Sequence, residues 1–393
     1  MLLVKPDSRD RAFIPRCLKR RIFSSGLQYL EELIAGKGVD EPTISSCVRY
    51  CSRRRIAIEG TFCTGGLSCI TTRRLKLEST LATATRQLRL GTRGSLLAQA
   101  QSRMIAAELE RTHPGLAVEM VIIRTTGDAI VDRPLHEVGG KGLFTKELEQ
   151  QLLSGTIDFA VHSYKDVPVT MPLVDQTNLA VAATPKREDP RDLFVSESAT
   201  SIKNLAIGAK IGTGSLRRRS QLLALRPDLQ VEPVRGNVDT RLKKLRAGEF
   251  QAVVLALAGV LRATLFDATV MYPIDAAEMI PAPAQGALAL QCRADDAHSR
   301  ELLAALDDAE THQCVAAERE LVRLLNGDCT SPIAALAEVS HGRLAMRAAV
   351  GARGGTPPVL YAEAESAVAN PLGLAQTIFD ILQHQDVTRL LHA

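Results

Sequence analysis

Cys329 is a lone thiol inside the stretch NGDCTSP, residues 326–332. Asn326-Gly327 should end a helix, and Pro332 should keep another from starting at once. Upstream, Val315, Leu321, Leu324 and Leu325 fall on roughly one helical face. The thiol is therefore expected on a loop just past a helix. On spacing alone it reads as an inert cysteine. Asp166 is the second group with chemical potential, placed beside Lys165 after FAVHSY. A carboxylate flanked by cations should stay ionised. It reads either as a structural ion pair with Lys165 or as an anion that stabilises positive charge developing on a substrate. His162, two residues before Tyr164, reads as a packed or hydrogen-bonded histidine.

Around these two groups lies a set of cations and hydroxyls. Arg93 and Ser95 follow LRLGT, and Lys141 sits in GGKG just before an expected helix. Thr213, Ser215, Arg217 and Arg218 lie in GTGSLRR at another helix start, and Arg235 and Arg241 bracket RGNVDTR. Helix N-termini expose unpaired N–H groups that favour anions. Arginine adds two-point binding of carboxylates. Singly, each cation is an ordinary surface charge; together they recur in loops that follow strands. GTGS lacks the spacing and lysine of a phosphate loop, and LGTRGS lacks the third glycine of a dinucleotide fingerprint. The expected ligand is polyanionic without being a nucleotide. No zinc-type Cys/His pairing accompanies CVRYC, so no metal is expected.

The elements that must carry these residues alternate. LRLGTRGS reads as a short strand followed by a turn, AVEMVIIRTTGD as a buried strand and IDFAVHSYKDVP as a strand running into a loop. LLAQAQSRMIAAELERTHPG and KGLFTKELEQQLLSG read as helices, the latter with Leu143 and Phe144 on its apolar face. REDPRDLFVS, residues 187–196, reads as a charged domain hinge, or alternatively a surface loop. The alternation restarts after it: LAIGAKIGTGS and QVEPVRGNVDT are each a strand and turn, FQAVVLALAG is a strand, and LRRRSQLLALRPD and RLKKLRAGE are helices. This order predicts an α/β protein of two lobes with mainly parallel sheets and helices on both faces, followed by a helix-rich α+β domain. Such lobes hold ligands in the cleft beyond the carboxyl ends of their strands.

The totals agree with a folded body and a different leader. Of 393 residues, 46% are hydrophobic and 23% charged, as in soluble globular chains. No apolar run is long enough to span a bilayer, so no membrane partner is expected. Residues 1–87 hold 16 Lys+Arg against 8 Asp+Glu, which leaves 32 against 36 in the remainder. An acidic body makes nucleic acid a poor partner. Five of the eight cysteines also fall in the leader. Its RCLKRRIFSS, SRRR and TTRR are of transit-peptide type, although EEL and VDEP are not. Organelle targeting by residues 1–87 is expected, to the plastid stroma or alternatively the mitochondrion; the other reading of this segment is a disordered extension or a misassigned start.

From about Leu88 to the C-terminus the chain resembles the hydroxymethylbilane synthases, also called porphobilinogen deaminases. LGTRGSLLAQAQ, VGGKGLFTKELE, DFAVHSYKDVP, REDPRD, GTGSLRRRSQL, RGNVDTRL, PAPAQGALALQCR and NGDCTSPIAA carry the resemblance, in family order. It implies two periplasmic-binding-protein-like α/β domains, over 88–183 with about 284–303 and over 187–275. It implies an α+β domain over 304–393 that bears the cysteine, in a monomeric transferase. By this resemblance Cys329 holds a covalent dipyrromethane primer. Four porphobilinogen units are added, each losing ammonia to give an electrophilic azafulvene, and hydrolysis frees the linear tetrapyrrole hydroxymethylbilane. Asp166 would be the catalytic anion. Lys165, Thr213, Ser215, Arg217, Arg218, Arg235 and Arg241 would bind the cofactor, while Arg93, Ser95, Gln101, Lys141 and Arg262 would bind substrate and the polypyrrole chain. Leu96, Glu137, Gly214 and Ala284 depart from the family's usual residues. The rival reading is a non-enzymatic two-lobed protein that binds a carboxylate metabolite, which would have no use for Cys329.

Overall fold

The computed structural model describes residues 86–126, 145–169, 178–328 and 330–392. Cys329, Lys141, Glu137, Leu143, Phe144 and residues 1–85 lie outside the described residues. The first lobe begins with β1 (Arg86–Arg93), α1 (Leu96–Thr112) and β2 (Leu116–Ile123). It continues through α2 (Lys146–Leu153), β3 (Phe159–Ser163), a 3-10 turn over Tyr164–Asp166, and β4 (Leu179–Ala183). Leu90, Leu109 and Phe159 are fully buried in its core, each stabilising the lobe by about 1.5–3 kcal/mol.

The chain then crosses to the second lobe. Its elements are β5 (Asp192–Val195), β6 (Lys210–Gly212), α3 (Leu216–Leu225), β7 (Gln230–Glu232) and α4 (Val238–Arg246). β8 (Ala252–Ala256), α5 (Leu257–Arg262) and β9 (Met271–Pro273) complete it. The return crossing leads to β10 (Leu288–Arg293) and α6 (Ala297–Ala304). The third part holds α7 (Ala309–Leu324), β11 (Ile333–Ser340), β12 (Arg343–Gly351), β13 (Val359–Ala367), α8 (Pro371–His384) and α9 (Val387–His392).

The two lobes share one sheet plan. Strand order is β2-β1-β3-β10-β4 in the first and β7-β6-β8-β5-β9 in the second, and the third sheet is β11-β12-β13. The expectation of mainly parallel sheets needs correction. β1 runs parallel to β2 and β3, but β10 runs antiparallel to β3 and β4. In the second lobe β6 is parallel to β7 and β8, while β5 is antiparallel to β8 and β9. The reason is topological. The reversed strand in each sheet is the one that has just arrived from the other lobe, and it inserts without a βαβ crossover.

Three local readings also change. β2 is an edge strand with a half-exposed pattern rather than a buried strand, and Ile122 is 59% exposed. An apolar run does not distinguish a central strand from an edge. FQAVVLALAG is a strand only to Ala256, after which α5 begins. The hinge read over 187–196 is shorter, because Asp192–Val195 pairs as β5.

The crossings over 184–191 and 274–287 lie against each other. Gly286, at φ +87°, comes so close to Glu188 that a Cβ would stand 2.3 Å from its carbonyl oxygen. Glu318 of α7 joins both. It is fully buried, and its carboxylate accepts from Arg187 Nη1 and Nη2 at 2.6 and 3.0 Å. It also accepts from the backbone N–H groups of Ala284 and Ala337 at 2.6 and 2.7 Å. A buried carboxylate needs such full pairing to stay ionised without a large penalty. One side chain thus ties the first crossing, the second crossing and the third sheet together.

Candidate functional site

Local sequence places the anion-binding turns. Ser95 and Ser215 are the N-cap residues of α1 and α3, accepting from the N–H groups of Ala98 and Arg218. Serine is favoured there because its oxygen satisfies a donor that the helix leaves free. Thr213 is buried, and its Oγ1 accepts from Ser215 N at 3.2 Å. Gly214 between them is exposed. At the other end of its helix, α7 stops at Leu324 and Asn326 takes φ +52°, the left-handed cap that asparagine tolerates. Asp328 then closes a turn by accepting from Thr330 N, Thr330 Oγ1 and Ser331 Oγ at 2.9, 2.7 and 3.0 Å. Burial works to raise the Asp328 carboxyl, but these hydrogen bonds outweigh it and hold the group below the usual carboxylate range.

A cleft is lined from all three parts of the chain: Lys165 from the first lobe, Ser215 and Arg217 from the second, and Arg319, Asp328 and Ser331 from the third. The residues on either side of position 329 therefore face the same space as the lysine of the Asp166 turn. Asp166 itself is exposed. Lys165 Nζ donates to Gln285 Oε1 at 3.3 Å. Burial pushes the Lys165 ammonium down to about 8, Asp166 opposes this, and Arg218 and Arg217 add to it. Arg241 is pushed down to about 10 by burial and by its neighbours Arg218 and Arg235, again against Asp166. Lys165, Asp166, Arg218, Arg235 and Arg241 thus share one electrostatic neighbourhood.

Arg217 and Arg218 differ from the free carboxylate anchors suggested by their sequence. Both are buried and turned onto Asp192. Arg217 Nη1 donates to Asp192 Oδ2 at 2.7 Å and to the Ile280 carbonyl at 2.8 Å. Arg218 donates to Asp192 Oδ1 through Nε and Nη2 at 3.0 and 2.8 Å, and through Nη1 to the Val254 carbonyl at 2.9 Å. Gln285 Nε2 completes the set at 2.9 Å. Burial alone would raise the Asp192 carboxyl; the two guanidiniums overcome it and hold the group far below the ordinary range. Two cations against one anion leave the pair with a net positive charge. Arg217 Nε is buried without a hydrogen-bond partner.

The remaining positions divide. Arg93 ends β1, within electrostatic reach of His162. His162 is buried against Gln291 Oε1 at 3.0 Å, and burial pushes it down to about 4. Gln101 is buried and exchanges hydrogen bonds with Ser163, where its Nε2 stands 3.1 Å from Ser163 Oγ, so it braces the end of β3. Arg262 is not brought to the Asp166 neighbourhood. Its Nη2 donates to the Gly286 carbonyl at 2.7 Å, and burial pushes it down to about 10 against Glu188. Sequence reasoning passed over Asp192, Gln285, Glu318 and Arg319. The available signal was polar residues inside otherwise apolar strand and crossing segments, DLFV and PAPAQG, which must find partners when buried.

A family model described as "Porphobilinogen deaminase, dipyromethane cofactor binding domain" matches residues 88–301, and "Porphobilinogen deaminase, C-terminal domain" matches 312–380. The porphobilinogen deaminase of Syntrophobacter fumaroxidans is 48% identical over 261 residues, covering 66% of this chain and 83% of that protein. That of Acidithiobacillus ferrooxidans is 46% identical over 288 residues, covering 73% and 92%. That of Syntrophus aciditrophicus is 43% identical over 296 residues, covering 75% and 95%. Among solved structures, the periplasmic VFT2 domain of Bordetella pertussis BvgS aligns over 56% of this chain and 87% of that chain. Its TM-score is 0.32 at 14% identity, a likeness too weak to bear on the fold.

Proposed function

The chain belongs to the porphobilinogen deaminase family, and from that membership we propose that it condenses four porphobilinogen molecules, with loss of ammonia, onto a dipyrromethane primer held by Cys329. The product is the linear tetrapyrrole hydroxymethylbilane, which makes this an enzyme of tetrapyrrole synthesis. The observation that carries the reading is the cleft in which Asp328 and Ser331 face Lys165, Ser215 and Arg217.

The donor set suits the primer. Dipyrromethane bears acetate and propionate side chains, and the cleft offers cations, a helix N-terminus and the orphaned Arg217 Nε. Lys165, Thr213, Ser215, Arg217, Arg218, Arg235 and Arg241 would hold those carboxylates. When bound, the primer supplies a nucleophilic pyrrole carbon. Arg93, Ser95 and Lys141 serve the incoming substrate, while Gln101 and Arg262, engaged with Ser163 and the Gly286 carbonyl, support the site from behind. The Asp166 carboxylate, exposed at the turn, accepts hydrogen bonds from pyrrole N–H groups and offsets the positive charge that develops on the ring. Asp192 keeps the paired guanidiniums aligned before any carboxylate arrives, so little reorganisation is needed on binding.

Ammonia release and tetrapyrrole formation from porphobilinogen, followed in the purified protein and in Asp166→Ala, test the reading. Turnover in the first and near-abolition in a folded second are expected. Near-normal turnover in Asp166→Ala would remove the charge-stabilising role. The protein is further proposed to act as a monomer, which light scattering would check.

Residues 1–85 are proposed as a plastid-targeting segment, on their Arg- and hydroxyl-rich composition; Arg86 and Gln87, read as the end of a leader over 1–87, pair in β1 and belong to the first lobe. A fluorescent reporter fused behind them should enter plastids. Mitochondrial import would support the alternative address, and cytosolic retention would remove both.

A further inference from the structure

The turn that carries Asp166 is built onto helix α7 of the third part of the chain. Arg319 stacks over the Tyr164 ring, its guanidinium carbon 4.5 Å from the centroid. The same group donates from Nη1 to the Val167 carbonyl and from Nη2 to the Pro168 carbonyl, both at 2.8 Å. The Tyr164 side chain packs against Val315, Ala284 and Ala287. Val169 packs against the core of the third sheet and its helices. Contacts before and after Asp166 therefore dock one short segment on α7.

Val315, Arg319 and Val322 recur at spacings of four and three residues, on one face of α7. Four residues beyond the end of that helix stands Asp328, next to the thiol position. The helix that leads into the Cys329 loop is thus the helix that holds the Tyr164 ring before Asp166 and two backbone carbonyls after it. Only a planar fork meets two successive carbonyls while lying on a ring; a lysine could not do both. Arg319 has no carboxylate partner among the described residues, and burial pushes its guanidinium down from the ordinary range. A half-buried cation held only by carbonyls and a ring is a costly arrangement unless something depends on the geometry it fixes.

We infer that Arg319 is a positioning residue that sets the Asp166 carboxylate relative to the Cys329 loop. The inference rests on the proposed function, and a wild-type protein that does not condense porphobilinogen would end both. With an active wild type, the test is Arg319→Lys and Tyr164→Leu, the second removing the stack while leaving α7 unaltered. Each should lower kcat about tenfold, with KM for porphobilinogen within about twofold and normal primer mass on Cys329, since a displacement near 1 Å can cost up to about a hundredfold. In an Asp166→Glu background, where the carboxylate is already displaced, Arg319→Lys should lower kcat by clearly less than it does alone. Wild-type kcat in both single variants, or fully additive losses in the double variant, would overturn the inference and leave the proposed reaction standing.

Discussion

Arg217 reaches back along 25 residues of chain to Asp192, its Nη1 2.7 Å from Oδ2. Arg218 meets the other oxygen of the same carboxylate. One buried anion therefore orders two adjacent guanidiniums at the start of α3, next to the cleft. Asp192→Asn removes the charge and leaves two buried cations facing each other. Breaking a buried pair by neutralising one partner costs about 3–5 kcal/mol. Equilibrium urea unfolding should show a loss of about 3 kcal/mol, and the folded fraction should load primer poorly. The Asp192 contribution is present above the unfolded carboxyl value, near 4, and is lost as pH falls toward the depressed folded value. In the variant, the acid side of the stability profile should flatten accordingly.

Lys165 gives the opposite limb. Burial lowers its ammonium from 10.5 to about 8, with Asp166 resisting. Between those values the folded protein binds fewer protons than the unfolded chain, so from this group stability rises as pH rises through the window. Carboxylate binding moves the other way, because the charge is lost above about 8. kcat/KM for porphobilinogen should fall on the alkaline side with an apparent value close to 8. Lys165→Arg should remove that limb up to about pH 10, since arginine keeps its charge. An identical limb in both proteins would mean that some other group titrates.

Ala284 occupies φ +60° in a site that is 1% exposed. A left-handed alanine costs about 1–2 kcal/mol. Its methyl group contributes about 0.8 kcal/mol by burial, and glycine would add about 0.5–1 kcal/mol of chain entropy loss. These nearly cancel, which explains how alanine stands where glycine is usual. Ala284→Gly should change the unfolding free energy by less than about 1 kcal/mol. Ala284→Val adds a β-branch at positive φ and should destabilise by more than about 2 kcal/mol. A marked stabilisation by glycine would show that the backbone strain dominates.

The fourth prediction concerns Glu318. Glu318→Ala strands Arg187 and the N–H groups of Ala284 and Ala337. Loss of such a network should cost about 3–5 kcal/mol. Hydrogen exchange should rise in β11 and in the second crossing together, because the same carboxylate serves both. Faster exchange confined to one of them would contradict the shared role.

Short-range features were the legible ones. Ser95 and Ser215 could be placed at helix starts because capping involves residues three apart, and Asn326-Gly327 could be read as a helix end for the same reason. The cationic loops were readable because each follows its own strand. What could not be read depends on pairs distant in sequence. Arg217 and Arg218 look like free anchors until Asp192 folds against them from the crossing. β2 looks like a core strand until it stands at the end of the sheet formed by the described residues. The antiparallel β5 and β10 follow from where the chain re-enters each lobe, which periodicity does not encode. Arg319 falls between Val315 and Val322 on its helix, and its ring and carbonyl partners lie about 150 residues earlier.

Intact mass of protein beginning near residue 88, with peptide mapping across Cys329, decides whether that thiol carries the primer. Added mass equal to two linked pyrrole units is expected on Cys329, present on isolation or appearing after incubation with porphobilinogen. A Cys329 that stays unmodified under both conditions, in a folded protein, would contradict primer attachment and favour a carboxylate-binding protein without this chemistry.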